Sequence, residues 1–82
     1  MFSVIWERIK ANQGQAFHQI RGAAFAYAVT DEHVYPNRTN QRIPKSHFEE
    51  AFAFVPLPNT APVQHLRGPS YIYAILMDER IR

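Results

Sequence analysis

No cysteine occurs anywhere in the chain. Disulfides, thiolate metal sites and a cysteine nucleophile are thereby excluded, and an intracellular, cytoplasmic protein is the simplest expectation. No apolar run approaches the roughly 20 residues of a membrane span. Glu7, Arg8 and Lys10 interrupt the opening MFSVIWERIK before any signal-peptide core can form. The expectation is a soluble protein with no membrane partner. Also missing are a glycine-rich phosphate loop, a nucleophile elbow and an HExxH motif. The four histidines, His18, His33, His47 and His65, lie 15, 14 and 18 residues apart. None forms the i, i+3 or i, i+4 pair of a helical metal site, so no metal is expected. Ser46 beside His47 makes no catalytic dyad, because neighbours on a helix diverge by about 100°. With no convergent set of reactive groups, neither an enzyme nor a cofactor is expected.

Acid is locally missing too. From His33 to Phe48 the chain carries Arg38, Arg42 and Lys45 but no Asp or Glu, within an overall net charge of only +2. Seven of the nine basic residues are arginine. The planar guanidinium suits phosphate and the guanine edge, although a G·C-rich genome produces the same bias without any function.

What is present centres on Asn37 to Ala51, NRTNQRIPKSHFEEA. Five hydrogen-bonding side chains, Arg38, Thr39, Asn40, Gln41 and Arg42, run into Ile43 and Pro44. Pro44 biases Ile43 towards extended backbone, which separates the polar run from the helix that follows. Ser46-His47-Phe48-Glu49 fits a capping box, so that helix is expected to begin at Ser46. Phe48, Ala51, Phe52 and Val55 then share one face, and Pro56 and Pro58 end it.

In chain order, Phe2, Ile5, Trp6 and Ile9 form an earlier helical stripe, with Ser3 as its expected cap and Gly14 as its terminator. Glu7, Arg8 and Lys10 lie off that stripe and read as a solvated face. Ala16 to Arg21 is a short candidate strand. Phe25, Tyr27 and Val29 alternating with Ala24, Ala26 and Ala28 make a clearer one. A turn at Thr30 to Glu32 leads to a further strand at His33 to Tyr35. The edges of such a meander leave unpaired backbone groups, a route to a homodimer. Pro56 to Gly68 reads as an ordered loop anchored by Val63 and Leu66. The last segment, GPSYIYAILMDERIR, favours a helix started by Pro69 or Ser70, with a strand as the alternative. The expected architecture is α+β in one domain, residues 1–82: an N-terminal helix, a two- or three-stranded antiparallel β-meander and two C-terminal helices.

Two functions follow. In the first, the chain is a small nucleic-acid-binding module, with double-stranded DNA favoured. Arg38 or Arg42 bonds guanine and Asn40 or Gln41 adenine, with Thr39 between them. Lys45, Ser46, His47, Arg67 and Ser70 lie where the nucleic-acid backbone would run, at expected helix starts. The plain alternative for this 38–47 segment is a solvated loop with local turn bonds. In the second function, the chain is a non-enzymatic protein-interaction module using Phe54, Tyr71, Tyr73 and an edge strand, because aromatics are enriched at interfaces. Core packing is the competing role for those aromatics.

Overall fold

The structure is a computed structural model describing all residues from Met1 to Arg82. The first helix follows directly from the apolar period. Helix α1 (Phe2–Ala11) buries Ile5, Trp6 and Ile9, with Phe2 packed beside them. Its cap position is Met1, two residues before the expected Ser3, and no side chain caps it. Beyond the helix Gly14 takes φ +86, and its N–H donates to the Tyr27 carbonyl at 2.9 Å.

Five short strands form two antiparallel sheets. Strand β1 (Phe17–His18) pairs with β2 (Ala24–Phe25), Phe17 lying opposite Phe25. Strands β3 (Tyr27–Thr30), β4 (His33–Pro36) and β5 (Ile43–Pro44) form the second sheet in that order. The strand expected from Ala24 to Val29 is thus broken at Ala26. The reason is Asn37, whose backbone N–H donates to the Ala26 carbonyl at 2.9 Å while its Oδ1 accepts the Ala26 N–H at 3.1 Å. Both polar groups of Ala26 are taken, and the chain passes from one sheet to the other. The alternation persists across the break, with Phe25 and Tyr27 buried and Ala24 and Ala28 exposed. Between β3 and β4, Asp31 and Glu32 take φ +52 and +58. Two successive left-handed residues are the geometry of a type I′ hairpin, which matches the twist of the flanking strands.

Helix α2 (Lys45–Phe52) departs from expectation at its start. Pro44, at φ −64 and ψ 148, holds the cap position, and no side chain bonds there. The capping box on Ser46 does not form. Strand β5 runs straight into the helix instead, and the Lys45 N–H donates to the Glu32 carbonyl at 2.9 Å. The turn of the β3–β4 hairpin therefore caps α2, a tertiary solution that local spacing does not reveal. The helix ends at Phe52, short of Val55.

Helix α3 (Pro69–Leu76) confirms the helical reading of the last segment, with Pro69 in its first turn. Ile72, Ala74, Ile75 and Leu76 are buried on it. The buried apolar side chains form one cluster, in which Phe17, Ile43, Phe48 and Ile72 have no exposed surface. Each such side chain contributes roughly 1.5–3 kcal/mol by its removal from water. The Tyr27 hydroxyl donates to the Ile9 carbonyl at 2.7 Å and ties the sheet to α1. Burial raises the pKa of this phenol, so it stays a donor. No helix is long and apolar enough to cross a membrane.

Candidate nucleic-acid interface

The polar run from Asn37 to Arg42 forms the connection between β4 and β5. Both ends of this loop are fixed. Asn37 is bonded twice to Ala26 at the near end, and Ile43 is fully buried at the far end, its strand paired in register with Val34. Between these anchors Arg38, Asn40, Gln41 and Arg42 are exposed, and Thr39 is half-buried. The Thr39 hydroxyl accepts the Gln41 N–H at 3.2 Å, a local turn bond that shapes the loop. The loop proper is 37–42, shorter than the 38–47 segment read from sequence, because residues 43–44 are strand and 45–47 are helix.

A census of the basic side chains separates structural cations from free ones. Arg8 donates to the Ile81 carbonyl at 3.1 Å, and Lys10 pairs with Glu7 at 2.7 Å. Lys45 lies 3.6 Å from Glu32 and 5.6 Å from the centre of the Trp6 ring. Arg80 is bonded to Asp78 and the Ala16 carbonyl, and Arg82 reaches the Met77 sulfur at 3.6 Å. Of the nine basic residues, that leaves Arg21, Arg38, Arg42 and Arg67, whose guanidinium groups have neither an acidic nor a hydrogen-bonding partner. Two of the four stand on the 37–42 loop.

Arg67 is brought to the same place by the approach of α3. Gly68 takes φ +54, and a Cβ there would sit 2.8 Å from Ile43 Cδ1. A side chain there would press on Ile43 from a left-handed backbone, so the position favours glycine. The Arg67 N–H donates to His47 Nδ1 at 3.1 Å, which uses that histidine nitrogen as an internal acceptor. Arg42 and Arg67 therefore flank a tight contact between Ile43 and Gly68.

The remaining sequence-derived site residues divide. Ser46 is exposed, and having no cap bond it keeps a free hydroxyl. Ser70 accepts a bond from Gln19 Nε2 at 3.0 Å. Lys45 is directed to Glu32 and Trp6, which removes it from the set of free cations. The three aromatics do not form one patch. Phe54 is exposed beyond the end of α2. Tyr71 packs edge-on against Phe25 at 4.9 Å, and Tyr73, two residues on and hence about 200° around the helix, is half-buried.

The sheet edges are modest. On β3 the Tyr27 carbonyl accepts the Gly14 N–H and the Val29 N–H donates to Gln13 Oε1 at 3.0 Å. At the other side β5 has two residues, one of them proline. No group of three or more His, Asp or Glu side chains is placed to hold a metal ion. The anchoring by Asn37 and the unpartnered state of Arg21 escape sequence reading, since both depend on segments far apart in the chain. Protein-family models, curated proteins and solved structures contain no match to this chain.

Proposed function

We propose that the protein is a small, non-enzymatic nucleic-acid-binding module that meets double-stranded DNA with the 37–42 loop. The observation that carries this reading is the concentration of unpartnered guanidinium groups at the loop and beside it, at Arg38, Arg42 and Arg67. Elsewhere basic side chains are mostly spent on internal contacts. An exposed arginine with no partner keeps all five donors for a phosphate or a guanine edge. Fixed loop ends add to this, because a pre-shaped loop loses less entropy on binding. In the proposed complex Arg38, Asn40, Gln41 and Arg42 meet base edges, while Arg67 and the free hydroxyl of Ser46 hold the backbone.

A second reading rests on Phe54, a large apolar side chain that is 50% exposed. It fits a protein contact, including a second copy of this chain. The two readings separate on salt. Fluorescence anisotropy with a randomised duplex pool, at low and moderate salt, tests the first: wild type binds in a salt-sensitive way, and Arg38→Ala/Arg42→Ala loses more than tenfold in affinity. Absence of binding by the wild type even at low salt would overturn it and leave Phe54 as the site to pursue.

A further inference from the structure

The fourth unpartnered arginine, Arg21, lies at a cleft outside the loop. The cleft has a volume of about 420 Å³ and is lined by Gln19, Ile20, Arg21, Thr60 and Ser70. Three distant segments meet there, and the Gln19–Ser70 hydrogen bond closes one wall. The lining contains no carboxylate.

Its hydrogen-bond state leaves mainly donors. The Ser70 hydroxyl already accepts from Gln19 Nε2, and the Thr60 hydroxyl accepts from Gln64 Nε2 at 2.8 Å. Each therefore retains its own O–H for donation. Arg21 contributes its whole guanidinium, and Gln19 a second amide N–H. Against these donors stand Gln19 Oε1 and the one remaining lone pair on each hydroxyl. One free guanidinium with two hydroxyl donors beside it and no carboxylate in the lining favours an oxyanion with several acceptor oxygens. The other cleft of the molecule has the opposite character, since Asp78 and Glu79 outnumber Arg82 in its lining.

We infer that this cleft is a subsite for one phosphate of the nucleic-acid backbone, held by Arg21 with the Ser70 and Thr60 hydroxyls. The inference rests on the proposed nucleic-acid function and extends its contact surface. Ser70 follows Arg67 by three residues, so the cleft begins within about 11 Å of chain from that arginine. From there the Gly68–Ile43 contact leads to Arg42 and the loop. In the inferred complex a backbone lying across Arg42 and Arg67 continues to the phosphate site at the cleft.

The test is the salt dependence of duplex binding by wild type, Arg21→Ala and Arg38→Ala/Arg42→Ala, with thermal melting of each variant as the check on folding. Arg21 is exposed and unbonded, so its substitution should leave the melting temperature unchanged. The inference expects the slope of log K against log salt to fall in magnitude by about 1 in Arg21→Ala. Titration with inorganic phosphate separates a backbone subsite from a general anion site: Gln19 and Ser70 amide shifts should be larger with duplex than with phosphate at equal ionic strength. If the loop double variant loses binding while Arg21→Ala keeps the wild-type slope, the cleft assignment is overturned and the loop reading stands. If wild type binds no duplex, both fall together.

Discussion

Arg80 clamps the segment that follows α3 while staying exposed. Its guanidinium lies 3.9 Å above the centre of the Phe17 ring, donates to the Ala16 carbonyl at 2.8 Å and takes Asp78 through Nε at 2.8 Å. These bonds hold the segment in which Ile81 is fully buried. The Arg80 hydrogen bond is the main cause of the lowered pKa of Asp78, outweighing the effect of burial. A carboxyl whose pKa is depressed by folding contributes stability above its unfolded value of 3.8, and the contribution disappears as pH falls through the lower folded value. Asp78→Asn should therefore remove part of the stability at pH 6 and make less difference near pH 2. For a partly solvated pair the expected size is on the order of 0.5 kcal/mol. Urea unfolding of both proteins at the two pH values checks it, and an equal loss at both would show that the charge is not responsible.

At the scale of elements, the two junctions around β5 decide how the loop is presented. Helix α2 takes its cap from the β3–β4 hairpin and not from Ser46. Ser46→Ala should then change stability by less than about 0.5 kcal/mol, where loss of a working cap costs about 1 kcal/mol. Denaturant unfolding distinguishes the two. Gly68 is the more demanding position, because a side chain there meets both a left-handed backbone and Ile43. Gly68→Ala should cost roughly 1–3 kcal/mol and, by moving Arg67, weaken duplex binding as well. A melting temperature equal to wild type would refute the tight contact of Gly68 with Ile43.

Much of this was legible from apolar spacing. The α1 stripe, the alternation through Phe25 and Tyr27, and the terminal helix all follow from residues near one another in sequence. The break at Ala26, the short strand β5 and the cap on α2 do not. Each is made by a hydrogen bond between segments far apart: Asn37 to Ala26, Ile43 alongside Val34, Lys45 to Glu32. The polar run was visible for the same local reason as the helices. Which arginines are free was not, since Arg8, Arg21 and Arg80 look alike until their partners are known.

The whole molecule measures 28 × 25 × 22 Å. At 3.4 Å of rise per base pair, its longest dimension spans about 8 base pairs. If one molecule binds through the loop and its surroundings, affinity per site should rise with duplex length to about that value and then level off. Anisotropy with duplexes of 4, 6, 8, 12 and 16 base pairs, lengths chosen to bracket about 8, measures it. A continued steep rise towards the longest duplex would indicate several copies acting together, the behaviour expected of a dimer.

In the proposed complex, nucleic acid meets the surface carrying Arg38, Arg42 and Arg67. The most direct measurement is an amide chemical-shift titration of the labelled protein with a short duplex. The largest shifts should fall at residues 38–42 and at Arg67 and Gly68, leaving Phe54 and the C-terminal Arg80–Arg82 unmoved. Shifts centred on Phe54, or none at the loop when binding is saturated, would contradict this placement.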